Sequence, residues 1–199
     1  MSGGTQGSPK HKLTPNLKKI LEAVLFLLNQ AENRGECLTQ YDIVKSIFLA
    51  DRSHLNRYGR PVTFDNYYAM RNGPVPTTVY DLLKGSENIL AKFDIDEPLW
   101  QTEDAPQISP KAKIYTHPIR MPREDTLSPS DEEALKDALG TVNSLTFPQL
   151  RKLTHDDPAY IDAWDENGNA RAYLISYGKL FDNDNFDQAE HLSFSSKHI

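Results

Sequence analysis

Cysteine is almost absent from this sequence of 199 residues, and it has no long apolar run. The single Cys37 cannot form an internal disulfide, which excludes the disulfide-stapled secreted domains and fits a reducing compartment. The longest apolar stretch, residues 20–28, is interrupted by Glu22 and is far shorter than the ~20 residues that a membrane span needs. The first dozen residues carry no export signal. The sequence therefore predicts a cytoplasmic protein that is not inserted in a membrane.

Metal-ligand spacings and nucleotide-binding motifs are also missing. One cysteine and six scattered histidines do not form a zinc pattern. The run Asp165-x-Asn167-x-Asn169 resembles the start of a calcium loop, but Ala170 and Ser176 stand where that loop requires glycine and glutamate. No P-loop, G-x-G-x-x-G or G-x-S-x-G motif occurs. We therefore expect no cofactor and no metal.

Charge is unevenly distributed along the chain. The net charge is -6, with +4 on residues 1–93 and -10 on residues 94–199. An acidic balance of this kind disfavours direct nucleic-acid binding.

The pattern of caps, apolar positions and breakers predicts a mainly α fold: a compact helical domain with a small antiparallel β-ribbon. We expect a disordered tail over residues 1–12, a single domain over 13–181 with an irregular insertion at 86–127, and a polar tail over 182–199. Within the insertion, residues 99–102 and 114–117 can pair as the ribbon. Predicted helices start at the caps Thr14, Thr39, Ser128 and Thr146, and glycines at 35, 59 and 85 follow helix ends.

One short stretch, Gly73-Pro74-Val75-Pro76, contains two prolines and a glycine in four residues. The prolines remove two backbone donors, which argues against an anion cradle. The residue before a proline is biased to extended backbone, and proline suits a helix start. The stretch is therefore predicted to be a fixed joint that leads into a helix over residues 77–84. For residues 60–72 we expect a short extended piece followed by a turn of helix.

Around this joint lies an aromatic and polar cluster of residue types that are enriched at protein interfaces: Tyr67, Tyr68, Met70, Arg71, Asn72 and Tyr80. Taken singly, each could equally line the core. As a group on a rigid joint, they form a candidate partner-binding surface.

Asp51 and His54 are three residues apart on the predicted second helix, where they could face the same way. With Asp65 and His155 they would suit a small hydrolase or a nucleotide-handling enzyme. The more ordinary interpretation is a hydrogen bond between them on the helix surface, or a His54 that packs near the core.

Several short runs of residues in this sequence, taken in order, resemble the pattern of the SocA-like Panacea domain. The resemblance spans residues 17–180 and is densest over 45–84. The runs that carry it are 48–52, 54–55, 58–62, 68–70, 73–76, 79–83, 153–155 and 163–164. They include Asp51, His54, Gly59, Pro61, Gly73, Pro74, Val75, Pro76, His155 and Trp164. Asp65, between two of the runs, also agrees with the family pattern. The chain departs from the family pattern at Phe64, where we expect glycine, and at Asn72, where we expect an aromatic residue.

The resemblance implies an antitoxin of a toxin–antitoxin pair, in bacteria or their phages, that neutralises a cognate toxin by direct protein–protein binding. A proteolytic adaptor that delivers the toxin to a host protease is the alternative. The resemblance implies no enzymatic activity and no catalytic residues, and leaves the enzyme that uses Asp51 and His54 as the least favoured hypothesis.

Overall fold

The computed structural model describes residues 9–199, and this part of the chain forms eight α-helices and six short strands. The helices are α1 Leu17–Glu32, α2 Gln40–Tyr58, α3 Thr77–Lys84, α4 Glu87–Lys92, α5 Pro129–Ser144, α6 Phe147–His155, α7 Pro158–Ala163 and α8 Phe186–Ser195. The strands are β1 Leu38–Thr39, β2 Tyr67–Met70, β3 Gly73–Pro76, β4 Gln101–Asp104, β5 Lys113–Thr116 and β6 Tyr173–Leu174. The mainly helical class with a minor antiparallel component is confirmed. Most of the predicted N-terminal tail, residues 1–8, lies outside the described residues.

Local capping signals set the helix boundaries. Thr39 and Ser128 each form a capping box, in which the side chain accepts the amide of the third helical residue and that residue's carboxylate accepts the cap amide. Helices α2 and α3 end at Gly59 and Gly85, both in the left-handed conformation that glycine adopts without strain. These starts and stops agree with the sequence predictions. The predicted cap at Thr14 is wrong, because α1 begins at Leu17 and Asn16 caps it by accepting the Lys19 amide.

The main core is built around α1, whose residues 20–29 are all buried. It packs against α2, α3 and α5, and α2 and α5 make the most extensive helix pair. A second, smaller cluster joins Phe48 and Tyr67 to Tyr160, Tyr177 and Leu180 from the C-terminal third. Helix α2 contributes to both clusters and so connects the two halves of the fold.

The first sheet has the order β1-β5-β4, all antiparallel. Strands β4 and β5 are the predicted ribbon, with Thr102 opposite Tyr115. Trp100 and Tyr115 are buried in the main core. Glu22 of α1 accepts two hydrogen bonds from the Arg120 guanidinium, at 2.8 and 2.7 Å, which ties the end of the insertion to the core helix. The 86–127 segment is thus an integral part of the packing.

The second sheet has the order β3-β2-β6 and corrects the prediction for residues 60–72. Instead of a turn of helix, residues 67–70 form β2, which pairs with β3 through a two-residue turn at Arg71 and Asn72. The Gly-Pro-Val-Pro joint is therefore a strand of a hairpin. Alternating exposure along β2 is typical of a strand with one buried face.

The C-terminal segment also differs from its prediction as a polar tail. Residues 186–195 form α8, which buries Ala189 and Leu192. Ser193 donates to the carbonyl of Lys12 at 2.6 Å, and the amide of Thr14 donates to Ser196 Oγ at 3.0 Å. Few apolar residues suffice here because the helix packs on one face only, which is why composition alone suggests a tail.

Candidate functional site

The hairpin corner is the point where β3 leads into α3, and the carboxylate of Asp65 stabilises it. Its Oδ1 accepts the amides of Asn66 and Thr78, at 2.7 and 3.1 Å, and its Oδ2 accepts the amide of Val79 at 2.9 Å. Because α3 begins at Thr77 with no side-chain cap of its own, Asp65 supplies the acceptors that the helix start lacks. Burial raises the pKa of Asp65 to about 6, although these hydrogen bonds oppose the rise. These hydrogen bonds give Asp65 a structural role at the corner.

Asp51 organises the loop that leads to the hairpin. Its Oδ1 accepts the amides of Val62 and Thr63, at 2.8 and 2.9 Å, and its Oδ2 accepts the hydroxyls of Thr63 and Tyr67, the latter at 2.7 Å. Burial raises the pKa of Asp51 to about 6 against these bonds. Every acceptor direction of the carboxylate is used inside the fold, which suits a structural role.

His54 belongs to a different network. Its Nδ1 lies 2.7 Å from the carbonyl of Arg60, and its Nε2 lies 3.0 Å from Ser130 Oγ and 3.3 Å from Asp131 Oδ1. Its side chain is fully buried, which confirms the prediction that it packs near the core. Asp51 and His54 bind separate partners, so the geometry does not form the acid–base dyad that their spacing allows.

Asp131 is the centre of that second network. Its buried carboxylate contacts Lys19 Nζ at 2.6 Å and Arg60 Nη1 at 2.9 Å. Burial would raise the pKa of Asp131, but hydrogen bonds from Lys19, the Ser128 amide and Arg60 outweigh it and lower the pKa to about 2. The network joins α1, α2 and α5 through one ionised group.

His155 lies elsewhere, beside the tip of the hairpin. Gly73 has a φ of +99°, and a Cβ there would lie 2.8 Å from both Lys45 Nζ and Thr154 Oγ1 and 3.4 Å from the His155 ring. Glycine is therefore required on two counts, backbone conformation and space. The four residues of the enzyme hypothesis, Asp51, His54, Asp65 and His155, thus divide among separate contact networks.

The predicted partner-binding residues occupy different environments. Tyr67 is buried, with 1% of its surface exposed, so it is removed from the surface set. Tyr68 and Met70 are half-buried on the opposite face of β2, and Arg71 and Asn72 are exposed at the turn. Tyr80 is half-buried on α3 under the Lys84 ammonium, which lies 3.9 Å from its ring centroid.

The remaining motif residues are structural in their contacts. Pro61, Pro74, Val75 and Pro76 are buried along the loop and β3. Trp164 stacks on the Tyr160 ring at 5.9 Å between centroids. Phe64 has a φ of +59°, a left-handed conformation, at the position where the family pattern has glycine.

Sequence reasoning missed Lys45, which is 1% exposed and donates to the Pro74 carbonyl at 2.8 Å. It also missed Tyr177, whose hydroxyl donates to the Asp65 carbonyl at 3.0 Å. A signal for Lys45 was present: position 45 lies between the apolar positions 43, 44 and 47 of an otherwise buried helical stretch.

Two further observations concern metal binding and membrane spans. In the described part of the chain, no cluster of three or more His, Cys, Asp or Glu side chains is placed to hold a metal ion. Within residues 9–199, no helix combines the length and the apolarity that crossing a bilayer requires.

Fold and site together define a mainly helical domain with a rigid, partly exposed β-hairpin corner. A protein-family model described as "Antitoxin SocA-like, Panacea domain" matches residues 43–161, from the first turn of α2 to α7. The chain belongs to this family of SocA-like antitoxin domains. Neither a curated protein nor a solved structure was found to match it.

Proposed function

We propose that this protein is an antitoxin that neutralises a cognate toxin by direct protein–protein binding in the cytoplasm of bacteria or phage-infected cells. The family match over residues 43–161 carries the proposal. The matched region contains the hairpin corner and the Asp51 and Asp65 networks. Inhibition by binding requires no chemistry from the antitoxin.

A surface suited to such a partner runs from the hairpin tip to α6. Arg71 and Asn72 are exposed at the tip, and the Arg151 guanidinium lies 3.3 Å from the Arg71 carbonyl. Phe147 of α6 is 53% exposed, and its ring lies 4.8 Å from that of Tyr41. We call Arg71, Asn72, Phe147 and Arg151 the hairpin–α6 surface. Aromatic and arginine side chains of this kind dominate binding energy at interfaces.

Rigidity supports the same proposal. The two prolines of β3 and the Asp65 cap on α3 restrict the corner before any partner arrives. A surface that is ordered in advance loses less conformational entropy on association. A specific complex of ordinary size would bury on the order of 1,600 Å² in total.

Co-expression tests the proposal. Open reading frames adjacent to the gene are expressed alone and together with this protein, and growth and co-purification are measured. We expect one neighbour to arrest growth, growth to return on co-expression, and the two chains to elute together. If no neighbour is toxic, or if rescue occurs without a complex, direct neutralisation is wrong.

The same assay separates inhibition from proteolytic delivery. For inhibition, the toxin stays abundant and bound when the antitoxin is present. For an adaptor, the toxin disappears on co-expression, and deletion of the host protease restores both its level and its toxicity.

A further inference from the structure

Four side chains meet beside the hairpin tip: Lys45 and Tyr41 from α2, and Arg151 and His155 from α6. We call them the Lys45 cluster. Lys45 Nζ lies 5.1 Å from the centroid of the Tyr41 ring and within contact distance of the Gly73 backbone, where the His155 ring also packs. Burial lowers the pKa values of Lys45 and His155, and the nearby Arg151 charge lowers both further. Burial raises the pKa of Tyr41 to about 12, although Arg151 opposes this rise.

The cluster has more hydrogen-bond donors than acceptors. The Lys45 ammonium carries three donors, and among the described residues its hydrogen bond goes to the Pro74 carbonyl alone. Tyr41 Oη and His155 Nε2 are buried and have no hydrogen-bond partner within the described chain. Unpaired polar atoms of this kind are rare in folded proteins and call for an explanation.

No carboxylate of the described chain pairs with Lys45 or Arg151. Two acids do lie near the cluster, but both are engaged elsewhere. Asp42 accepts the Thr39 amide in the α2 capping box, and Asp156 pairs with Lys152. A buried ammonium that lacks a counter-charge is costly in the fold. An incoming anion would offset that cost.

We propose that the Lys45 cluster is a binding site for an oxyanion, a carboxylate or a phosphate. The two unused ammonium donors, the Tyr41 hydroxyl and the Arg151 guanidinium match the several lone pairs of such a group. Tyr41, Arg151 and His155 are half-exposed and form the outer wall, so the anion reaches the buried ammonium from the hairpin–α6 surface. The oxyanion is either a free solute or an acidic side chain of the bound partner.

The test uses the whole isotope-labelled protein and two probes, sodium acetate and inorganic phosphate, each compared with sodium chloride at matched ionic strength and pH 6. Lys45 is mainly charged at this pH, because burial lowers its pKa only to about 7. We expect saturable NMR shifts at the Gly73 amide and the Tyr41 and His155 rings with an oxyanion, and none with chloride. Saturation with acetate assigns a carboxylate ligand, and saturation with phosphate alone assigns a phosphoryl ligand.

Variants locate the binding. Lys45→Met and Arg151→Gln should each weaken it at least ~10-fold, because each removes a charged donor. Lys152→Gln, an exposed change on the same helix as Arg151, is the matched control and should have no effect. If Lys45→Met does not fold, Arg151→Gln still decides the question. Shifts that do not saturate with either probe, or saturation that both variants leave unchanged, would overturn the site.

A second arm identifies the source of the anion. If Lys45→Met and Arg151→Gln also weaken capture of a co-purified partner and phosphate competes with that partner, the oxyanion is an acidic side chain of the partner. If partner capture is unchanged while acetate or phosphate binding is lost, the ligand is a free solute. The NMR titration needs no toxin, so it tests the oxyanion site independently of the proposed antitoxin function. Either proposal can be wrong while the other is right.

Discussion

The carboxylate of Asp65 accepts the backbone amide of Val79 at 2.9 Å, so a residue that precedes the hairpin caps the helix that follows it. This hydrogen bond joins the chain just before β2 to the helix just after β3, so it fixes both ends of the hairpin to each other. It explains how a corner with few side-chain donors of its own stays at one angle.

Replacement of Asp65 by Ala should therefore destabilise the protein by about 1–3 kcal/mol, because the amides of Thr78 and Val79 are left without an acceptor. Urea unfolding measures the change. Asp81→Ala, on the exposed face of the same helix, is the matched control and should stay within about 0.5 kcal/mol of the parent. Equal losses in the two variants would contradict the capping role.

The free energy of unfolding should also depend on pH below about 6, because two buried carboxyls are protonated in the folded chain in this range. Burial raises the pKa of Asp51 and Asp65 from 3.8 to about 6. Between these values the two carboxyls hold protons in the folded chain that the unfolded chain has released, so their contribution to the free energy of unfolding should rise as the pH falls from about 6 towards 4. His54 and His155, whose pKa values burial lowers, contribute in the opposite direction. Below that range Asp131, with its pKa lowered to about 2, reverses the trend. Urea unfolding from pH 3 to 7 tests this, and Asp51→Asn should reduce the rise.

On the alkaline side Lys45 has the opposite effect. Burial, assisted by Arg151, lowers its pKa from 10.5 to about 7. Between these values the unfolded chain holds the proton that the folded chain has released, so the free energy of unfolding should rise with pH from 7 to about 10. Tyr41, Arg151 and His155 face this group, and Lys45→Met should flatten the rise. Lys92→Met, on the exposed face of α4, should leave it intact.

Removal of the Asp131 charge should be among the most damaging single changes outside the apolar core. Asp131→Asn leaves Lys19 and Arg60 without their shared counter-ion, and breaking a buried ion network in this way costs about 3–5 kcal/mol. Thermal and urea unfolding report the loss. Asp137→Asn, an exposed change on the same helix, should have little effect. A small loss at Asp131 would mean that the network is replaceable.

Phe64 offers a direct test of backbone strain. Its φ of +59° is unfavourable for any residue with a Cβ, whereas its side chain is 94% buried. Phe64→Ala and Phe64→Gly both remove the side chain, but only glycine also removes the strain. We expect Phe64→Gly to be more stable than Phe64→Ala by about 1 kcal/mol, the reverse of the usual order. Urea unfolding of the pair measures it, and the usual order would show that the conformation is unstrained.

A further prediction concerns the effect of a substitution at the hairpin tip on partner binding. Arg71 is exposed, so Arg71→Glu should leave the unfolding midpoint unchanged. If the hairpin–α6 surface contacts the toxin, the same variant should lower affinity for the co-purified partner at least ~10-fold. Lys92→Glu makes the same change of charge on α4 and serves as the control. A partner that still binds the Arg71 variant with parental affinity contacts another face.

Much of the fold follows from local signals in the sequence. The capping residues Thr39 and Ser128, the terminating glycines Gly59 and Gly85 and the ribbon around Tyr115 act through neighbours a few positions away, and the structure has them where the sequence predicts. These features depend on short-range chemistry that a single sequence displays.

The rest depends on contacts distant in sequence. Residues 67–70 pair with the distant strand β6 as well as with the adjacent β3, and the Tyr67 hydroxyl donates to the carboxylate of Asp51. Helix α8 is stabilised by the burial of Ala189 and Leu192 against the rest of the fold. Lys45 looks like a solvated lysine until α6 and the hairpin enclose it. No local pattern encodes these partners.

The register of the hairpin has a further consequence for how any partner can attach. Strand β3 is the outer strand of its sheet, and Pro74 and Pro76 stand opposite Ala69 and Tyr67 at the alternate positions whose amides would point away from β2. Proline has no amide hydrogen to offer, and the outward carbonyl of Pro74 is already bound to Lys45. This border is therefore closed to strand addition, both by a toxin segment and by another copy of the chain. If a partner binds at this corner, its contacts along β3 are made by side chains rather than by strand pairing.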